Sequence, residues 1–241
     1  MLLKSDSIEN NVAKISGRQL DHLTQVQRLT EGDFLNLGEI NGTMGRGKIN
    51  TLTDEHATIS LELGAQPPKP LPITVILALP RPKMLRRVLQ TIAAMGVKNI
   101  YLINSSRVEK SFWQSPFLQP QAIEEQLILG LEQAKDTILP SVHLRKLFKP
   151  FVEDELTDIV GGSRAIIAHP GAKKPCPINL NSQVTLAIGP EGGFIPYEVT
   201  KLSAIGFDPM HLGPRILRVE TAVPALLSRF FPVLNRGFFK H

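Results

Sequence analysis

Leu212-Gly213-Pro214-Arg215-Ile216-Leu217-Arg218-Val219-Glu220-Thr221-Ala222 decides the reading, together with Ile188-Gly189-Pro190-Glu191-Gly192-Gly193-Phe194 upstream. Each stretch is a glycine–proline turn directly after an apolar run. Val184-Thr185-Leu186-Ala187-Ile188 leads into the first, and Pro209-Met210-His211-Leu212 into the second. In open α/β sheets, ligands bind outside the carboxyl ends of the strands, which is where such turns fall. Glycine lets the backbone approach a ligand and take positive φ. Exposed backbone N–H and C=O groups there suit an adenine edge. Neither turn is a phosphate cradle: the sequence holds no G-x-x-x-x-G-K-[ST] and no G-x-G-x-x-G after a strand. A G-x-S-x-G elbow is also absent, and no histidine pair has metal spacing. On the residues alone, two such turns also fit plain loops.

Working back from these turns, strands and helices alternate. Ile73 to Leu79, Asn99 to Ile103 and Arg164 to Ala168 read as buried strands. Pro82 opens a helix that stops at Gly96, and Ile123, Leu127, Leu131 and Ala134 share one helical stripe. Pro196 to Ile205 is a helix stopped by Gly206. Ala222 to Leu234 is a final helix, with Pro224 placed in its first turn. The alternation predicts a mainly parallel sheet covered by helices. Pro67-Pro68-Lys69-Pro70-Leu71-Pro72 cannot continue a helix or a central strand and marks a boundary. Before it, Ser16-Gly17-Arg18-Gln19 has capping-box form, and Leu20, Leu23, Val26 and Leu29 recur at helical spacing. Phe34, Leu35 and Leu37 then lead to Asn41-Gly42 and Gly45, and Thr58, Ile59, Leu61 and Leu63 follow. Short strands around one helix predict a small barrel. The expected layout is a barrel at 1–66, a linker at 67–72 and an α/β domain at 73–241.

The chain has 241 residues, 42% hydrophobic and 20% charged. That excludes a disordered chain, and no apolar run is long enough to span a membrane. A single cysteine, Cys176, excludes an internal disulfide framework and a cysteine-based zinc site, so a soluble protein of a reducing cytoplasm is expected. The net charge of +5 is unevenly spread. Up to Lys69 there are 7 basic and 9 acidic residues; the rest carries 20 and 13. Arg81, Lys83, Arg86, Arg87, Lys98, Arg107 and Lys110 face only Glu109 between Arg81 and Ser115. Such an excess suits a polyanion and equally a solvated face.

The two turns, in this order and wording, resemble the signature of the SPOUT methyltransferases. Within them the sequence is similar to the ribosomal RNA small subunit methyltransferase E family. His22-Leu23, Arg28-Leu29, Gly32-Asp33, Gly96-Val97, Ile100, Arg107 and Glu132-Gln133 extend the likeness over nearly the whole chain. It departs at Val219, Thr91 and Ala94, and at Lys135-Asp136-Thr137, where an arginine is usual. The resemblance implies a C-terminal trefoil-knotted α/β domain and an N-terminal PUA-like β-barrel that recognises RNA. It implies methyl transfer from S-adenosylmethionine to N3 of a uridine in 16S ribosomal RNA, in a homodimer, without a metal. The final helix, rich in Leu226, Leu227, Phe230 and Phe231, offers apolar surface for that dimer. Alternatives are a methyltransferase for another RNA nucleotide, or a non-catalytic RNA-binding or ribosome-assembly protein that kept the fold.

By the same resemblance, Ala168, His169, Ile188, Gly189, Gly193, Leu212, Gly213, Ile216, Leu217 and Thr221 would form the cofactor pocket. The N3 imide must lose its proton, or its developing anion must be stabilised. Arg218 is the candidate for the uracil carbonyls and Glu220 for the proton or for orienting that arginine; a structural pair at a helix start is the other reading. RNA contacts are assigned to Arg28, Arg46 and Lys48 on the barrel and to Arg81, Lys83, Arg86, Arg87 and Arg107 beyond it. Arg86 and Arg87, adjacent on a helix, are expected to point differently. Trp113 is read as a base-stacking ring or a hydrophobic loop anchor.

Overall fold

The computed structural model describes residues 1–232. The chain divides into two compact units, Met1–Lys69 with Leu131–Leu139, and Pro70–Gly130 with Pro140 onward. The expected layout places 131–139 in the α/β domain. Only the three-dimensional contacts return it to the first.

The first unit is a six-stranded, barrel-like sheet. Its elements are β1 (Leu2–Leu3), β2 (Ile8–Glu9), β3 (Val12–Ile15), α1 (Arg18–Asp21), β4 (Phe34–Glu39), β5 (Met44–Leu52) and β6 (Ala57–Ala65). The strand order is β1-β4-β5-β6-β3-β2, parallel only at β1–β4. Period-two alternation sends Leu35 and Leu37 inward to Leu3, Ile15, Leu20, Leu23, Ile49 and Ile59. The capping box does not form. Gly17 is the N-cap, with no side-chain cap, and Gln19 instead donates to the Leu2 carbonyl at 2.7 Å. The helix runs on through a π turn, His22–Val26, so Leu29 lies outside it.

The second unit contains β7 (Ile73–Ala78), α2 (Pro82–Ala94), β8 (Asn99–Ile103), α3 (Pro120–Ala134), whose last turn belongs to the first unit, and β9 (Ser141–Arg145). Then come α4 (Phe148–Pro150), a π turn (Phe151–Glu155), α5 (Leu156–Val160), β10 (Arg164–Ala168), β11 (Lys174–Pro175), β12 (Val184–Ile188), α6 (Pro196–Ala204), β13 (Asp208–His211) and α7 (Val219–Phe230). All seven strands are parallel, ordered β11-β13-β10-β12-β7-β8-β9. The chain builds outward from β7 to β9, then turns back to the other side. That reversal puts the carboxyl ends of β10, β12 and β13 at a topological switch point.

The last helix differs from its sequence reading in two ways. It starts at Val219, so Pro224 is its sixth residue and lies inside it. Leu226, Leu227 and Phe230 are fully buried within the chain, so they offer no free apolar face for a second copy. Leu234 lies outside the described residues.

Candidate functional site

A cavity of about 270 Å³ opens at the carboxyl ends of β10, β12 and β13. Ala168 and His169, Ile188, Gly189 and Gly193, and Leu212, Gly213, Ile216 and Leu217 all line it. Three segments far apart in sequence meet there because β10 pairs with both β12 and β13. The turns are locally rigid. Gly193 N–H donates to the Pro190 carbonyl at 2.7 Å, with φ +73 at Gly193. Gly213 takes φ +124, and a Cβ there or at Gly193 would point into open space. Both residues thus leave free backbone where a ligand fits.

Several polar groups ring this cavity beyond the residues expected to form the cofactor pocket. His211 Nδ1 accepts the Gly213 N–H at 3.0 Å. That bond requires a bare Nδ1, so in a neutral ring the proton sits on Nε2. Its sequence signal is modest: a polar residue at the end of the last strand, two before the glycine. Arg107, assigned to RNA, also lines the cavity, and its guanidinium donates to the Gly192 carbonyl. Glu191 accepts from the Arg81 N–H at 3.2 Å. Behind them Glu198, 2% exposed, accepts from Ser106 N–H at 2.6 Å and Ile195 N–H at 3.0 Å. One buried carboxylate thereby ties the loop after β8 to the start of α6.

Arg218, Glu220 and Thr221 are not in the cavity wall. Arg218 is the exposed N-cap of α7, Glu220 is half-buried and Thr221 exposed. No ion pair joins Arg218 to Glu220 among the described residues, so the structural-pair reading fails. Arg215, like Arg107, does line the cavity.

The basic residues are exposed throughout. Arg28, at φ +55, follows the π turn; Arg46 and Lys48 point outward from β5. Arg81 caps α2, and Lys83, Arg86 and Arg87 are exposed on its first turns. Arg86 and Arg87 both face solvent. They differ in surroundings, since Arg86 lies over the Phe117 ring at 5.2 Å. Trp113 donates its indole N–H to Asn104 at 3.0 Å and is half-buried, as a loop anchor is. No cluster of three metal-ligating side chains occurs among the described residues, and no helix is long and apolar enough to cross a membrane.

A parallel α/β sheet with a glycine-bearing cavity at its switch point defines the class: an α/β protein whose candidate site lies at the carboxyl ends of its strands. The model of the RNA methyltransferase domain family matches residues 67–230. The chain belongs to that family. Among its relatives, ribosomal RNA small subunit methyltransferase E of Treponema pallidum is 29% identical over 93% of this chain and 87% of that protein. The protein of the same name from Synechocystis is 26% identical over 98% and 78%. The crystal structure of ribosomal RNA small subunit methyltransferase E from Neisseria gonorrhoeae bound to S-adenosyl methionine shares the fold. Its TM-score is 0.75 at 20% identity, over 94% of this chain and 95% of that one.

Proposed function

We propose that this chain is an S-adenosylmethionine-dependent methyltransferase acting on N3 of a uridine in 16S ribosomal RNA. The observation that carries this reading is the convergence of both glycine turns on one cavity, within a chain of the RNA methyltransferase family. The names of the relatives and the cofactor in the Neisseria structure support it. The cavity suits the cofactor: apolar side chains and backbone make up much of its wall, polar groups such as Arg107, Glu191 and His211 stand at its side, and the missing side chains of Gly193 and Gly213 leave room. When bound, S-adenosylmethionine supplies an electrophilic methyl group.

The residues divide the remaining work. Leu212, Gly213, Ile188 and Gly189 hold an adenosine by backbone and apolar contact. Arg107 and Glu191 form the polar side. Arg218 and Glu220 alternate in the chain with the wall residues Leu217 and Val219, and they are assigned to the mouth of the cavity. There Arg218 offsets charge developing on the uracil carbonyls, and Glu220 takes the imide proton. Positioning supplies much of the acceleration, since orientation can contribute about 7–11 kcal/mol.

The first unit, Met1–Lys69 with Leu131–Leu139, is a PUA-like RNA-recognition module, and the second is a knotted catalytic domain. The insertion of β12 between β10 and β7 supports the knot. The protein works in the cytoplasm as a homodimer, and Ile216, 80% exposed on the cavity wall, is an apolar group for a second copy to cover.

Nucleoside mass spectrometry of 16S ribosomal RNA from a deletion strain tests the reaction. Loss of 3-methyluridine, restored by the gene, is expected; an unchanged nucleoside profile refutes it. Calorimetry with S-adenosylmethionine separates the enzyme from a non-catalytic RNA-binding protein, which would give no saturable signal.

A further inference from the structure

We propose that the first unit carries a pocket for one unstacked RNA nucleotide, built around the exposed ring of Phe34 and the guanidinium of Arg46. This rests on the RNA reading above and adds to it a base-holding site among residues the glycine turns do not include.

A cavity of about 590 Å³ lies between β4, β5 and the segment 131–137. Its far wall is locked in place. Gly38 has no side chain, and a Cβ there would sit 2.5 Å from Thr137 Cγ2. Thr137 Oγ1 donates to the Gly42 carbonyl at 2.6 Å, and Asn41 N–H donates to the Thr137 carbonyl at 2.8 Å. Lys135 and Thr137, where this sequence departs from its family resemblance, are part of that wall.

Phe34 is 61% exposed, although Leu35 and Leu37 beside it are buried. A single exposed apolar residue needs no explanation. This one lines a cavity that also holds the cations Arg46 and Lys135 and the amides Gln27 and Asn36. Lys48 is directly opposite it in the β4–β5 register, and Arg46 is opposite Asn36. The side chains of Arg46, Lys48 and Lys135 make no hydrogen bond or ion pair among the described residues. The wall also carries two carboxylates, both engaged: half-buried Glu132 accepts the Leu2 N–H at 2.9 Å, and buried Asp136 accepts the Ile138 N–H at 3.0 Å. Glu62 faces Arg46 across β5 and β6 but is outside the wall.

An aromatic face stacks on any base, cations take the flanking phosphates, and amides such as Asn36 and Gln27 reach a base edge. The side chains left unpartnered at this wall are the cations Arg46 and Lys135, while both carboxylates are already engaged, and this favours a phosphate-bearing chain over an apolar peptide. A base in a duplex cannot reach such a ring, so the occupant is single-stranded RNA.

The test uses the full chain and fluorescence anisotropy with a labelled uridine-rich single-stranded oligoribonucleotide, and with a duplex of equal length. Phe34→Ala is expected to weaken single-strand binding about 5- to 150-fold, the range of base–aromatic stacking, with the salt slope unchanged. Phe34→Trp should retain binding. Arg46→Ala should flatten the log–log salt slope by about 0.7. Affinity for S-adenosylmethionine should stay constant in all three. Wild-type binding by Phe34→Ala, or an equal loss on duplex, overturns the proposal. So does a Phe34→Ala protein whose mass by light scattering falls, because the ring would then cover a second copy. Failure of the unmodified chain to bind S-adenosylmethionine would instead count against the enzyme reading alone.

Discussion

Gly213 and His211 show how little chemistry a cofactor site needs when the backbone is held correctly. At φ +124 a β-branched residue is strained. Gly213→Val also fills open space at the cavity. Saturable S-adenosylmethionine binding should be lost in calorimetry while circular dichroism stays that of the folded chain; unchanged affinity would remove the cofactor from this turn. His211→Ala should weaken binding about 2- to 12-fold, the worth of one hydrogen bond of about 0.5–1.5 kcal/mol. His211→Asn, which keeps a carbonyl acceptor, should recover part of it. Cys176 makes a separate residue-scale prediction. Burial pushes its thiol up to about 11, against the pull of Arg229. The native thiol therefore stays neutral where an unfolded one ionises. The stability this confers is full below about 9 and is lost as pH rises through about 11. Iodoacetamide at pH 8 should label the native chain far more slowly than the denatured one, and Cys176→Ala should flatten the alkaline arm of a stability profile.

Elements hold together here through close approaches that composition alone does not reveal. In β5, a Cβ on Gly45 would lie inside the Glu62 carbonyl of β6, whereas one on Gly64 meets nothing within 4 Å. Gly45→Ala should destabilise the first unit by about 1–3 kcal/mol through forced strand separation. Gly64→Ala should change it by no more than about 0.5 kcal/mol. Equal effects in urea denaturation would mean the β5–β6 contact is slack. In the second unit, Glu198 joins two elements by accepting two backbone N–H groups. Glu198→Ala strands both donors and should cost about 2–4 kcal/mol, with Glu198→Gln intermediate. The π turn at Phe151–Glu155 and the edge strand β9 escaped the sequence reading, because a half-exposed strand and an acidic irregular helix carry no clean period.

At the scale of the molecule, charge and assembly remain to be divided between the units. The first unit's side of the boundary is net acidic and the rest strongly basic, so RNA electrostatics should reside largely in the second. Arg87→Ala should flatten the salt slope of RNA binding by about 0.7–0.9, more than Arg86→Ala, whose guanidinium already lies over Phe117. An unaltered slope in the double variant would make this a solvated face. Removing 1–66 is a poor test of selectivity, since 131–139 belong to that unit and would lose their partners. Light scattering should give about twice the chain mass of 26.6 kDa; the single mass at micromolar concentration would refute the dimer. The sequence by itself determined the alternation of strands and helices beyond the prolines, several boundaries to the residue, and both glycine turns. These are local properties, written in period, proline and glycine. Tertiary structure alone decided that β12 lies between β10 and β7, that 131–139 close the first unit, that Phe34 faces out, and that Leu226, Leu227 and Phe230 face in. Burial of apolar surface is non-directional: a periodic pattern says that a face must be covered, and only the packed chain says by what.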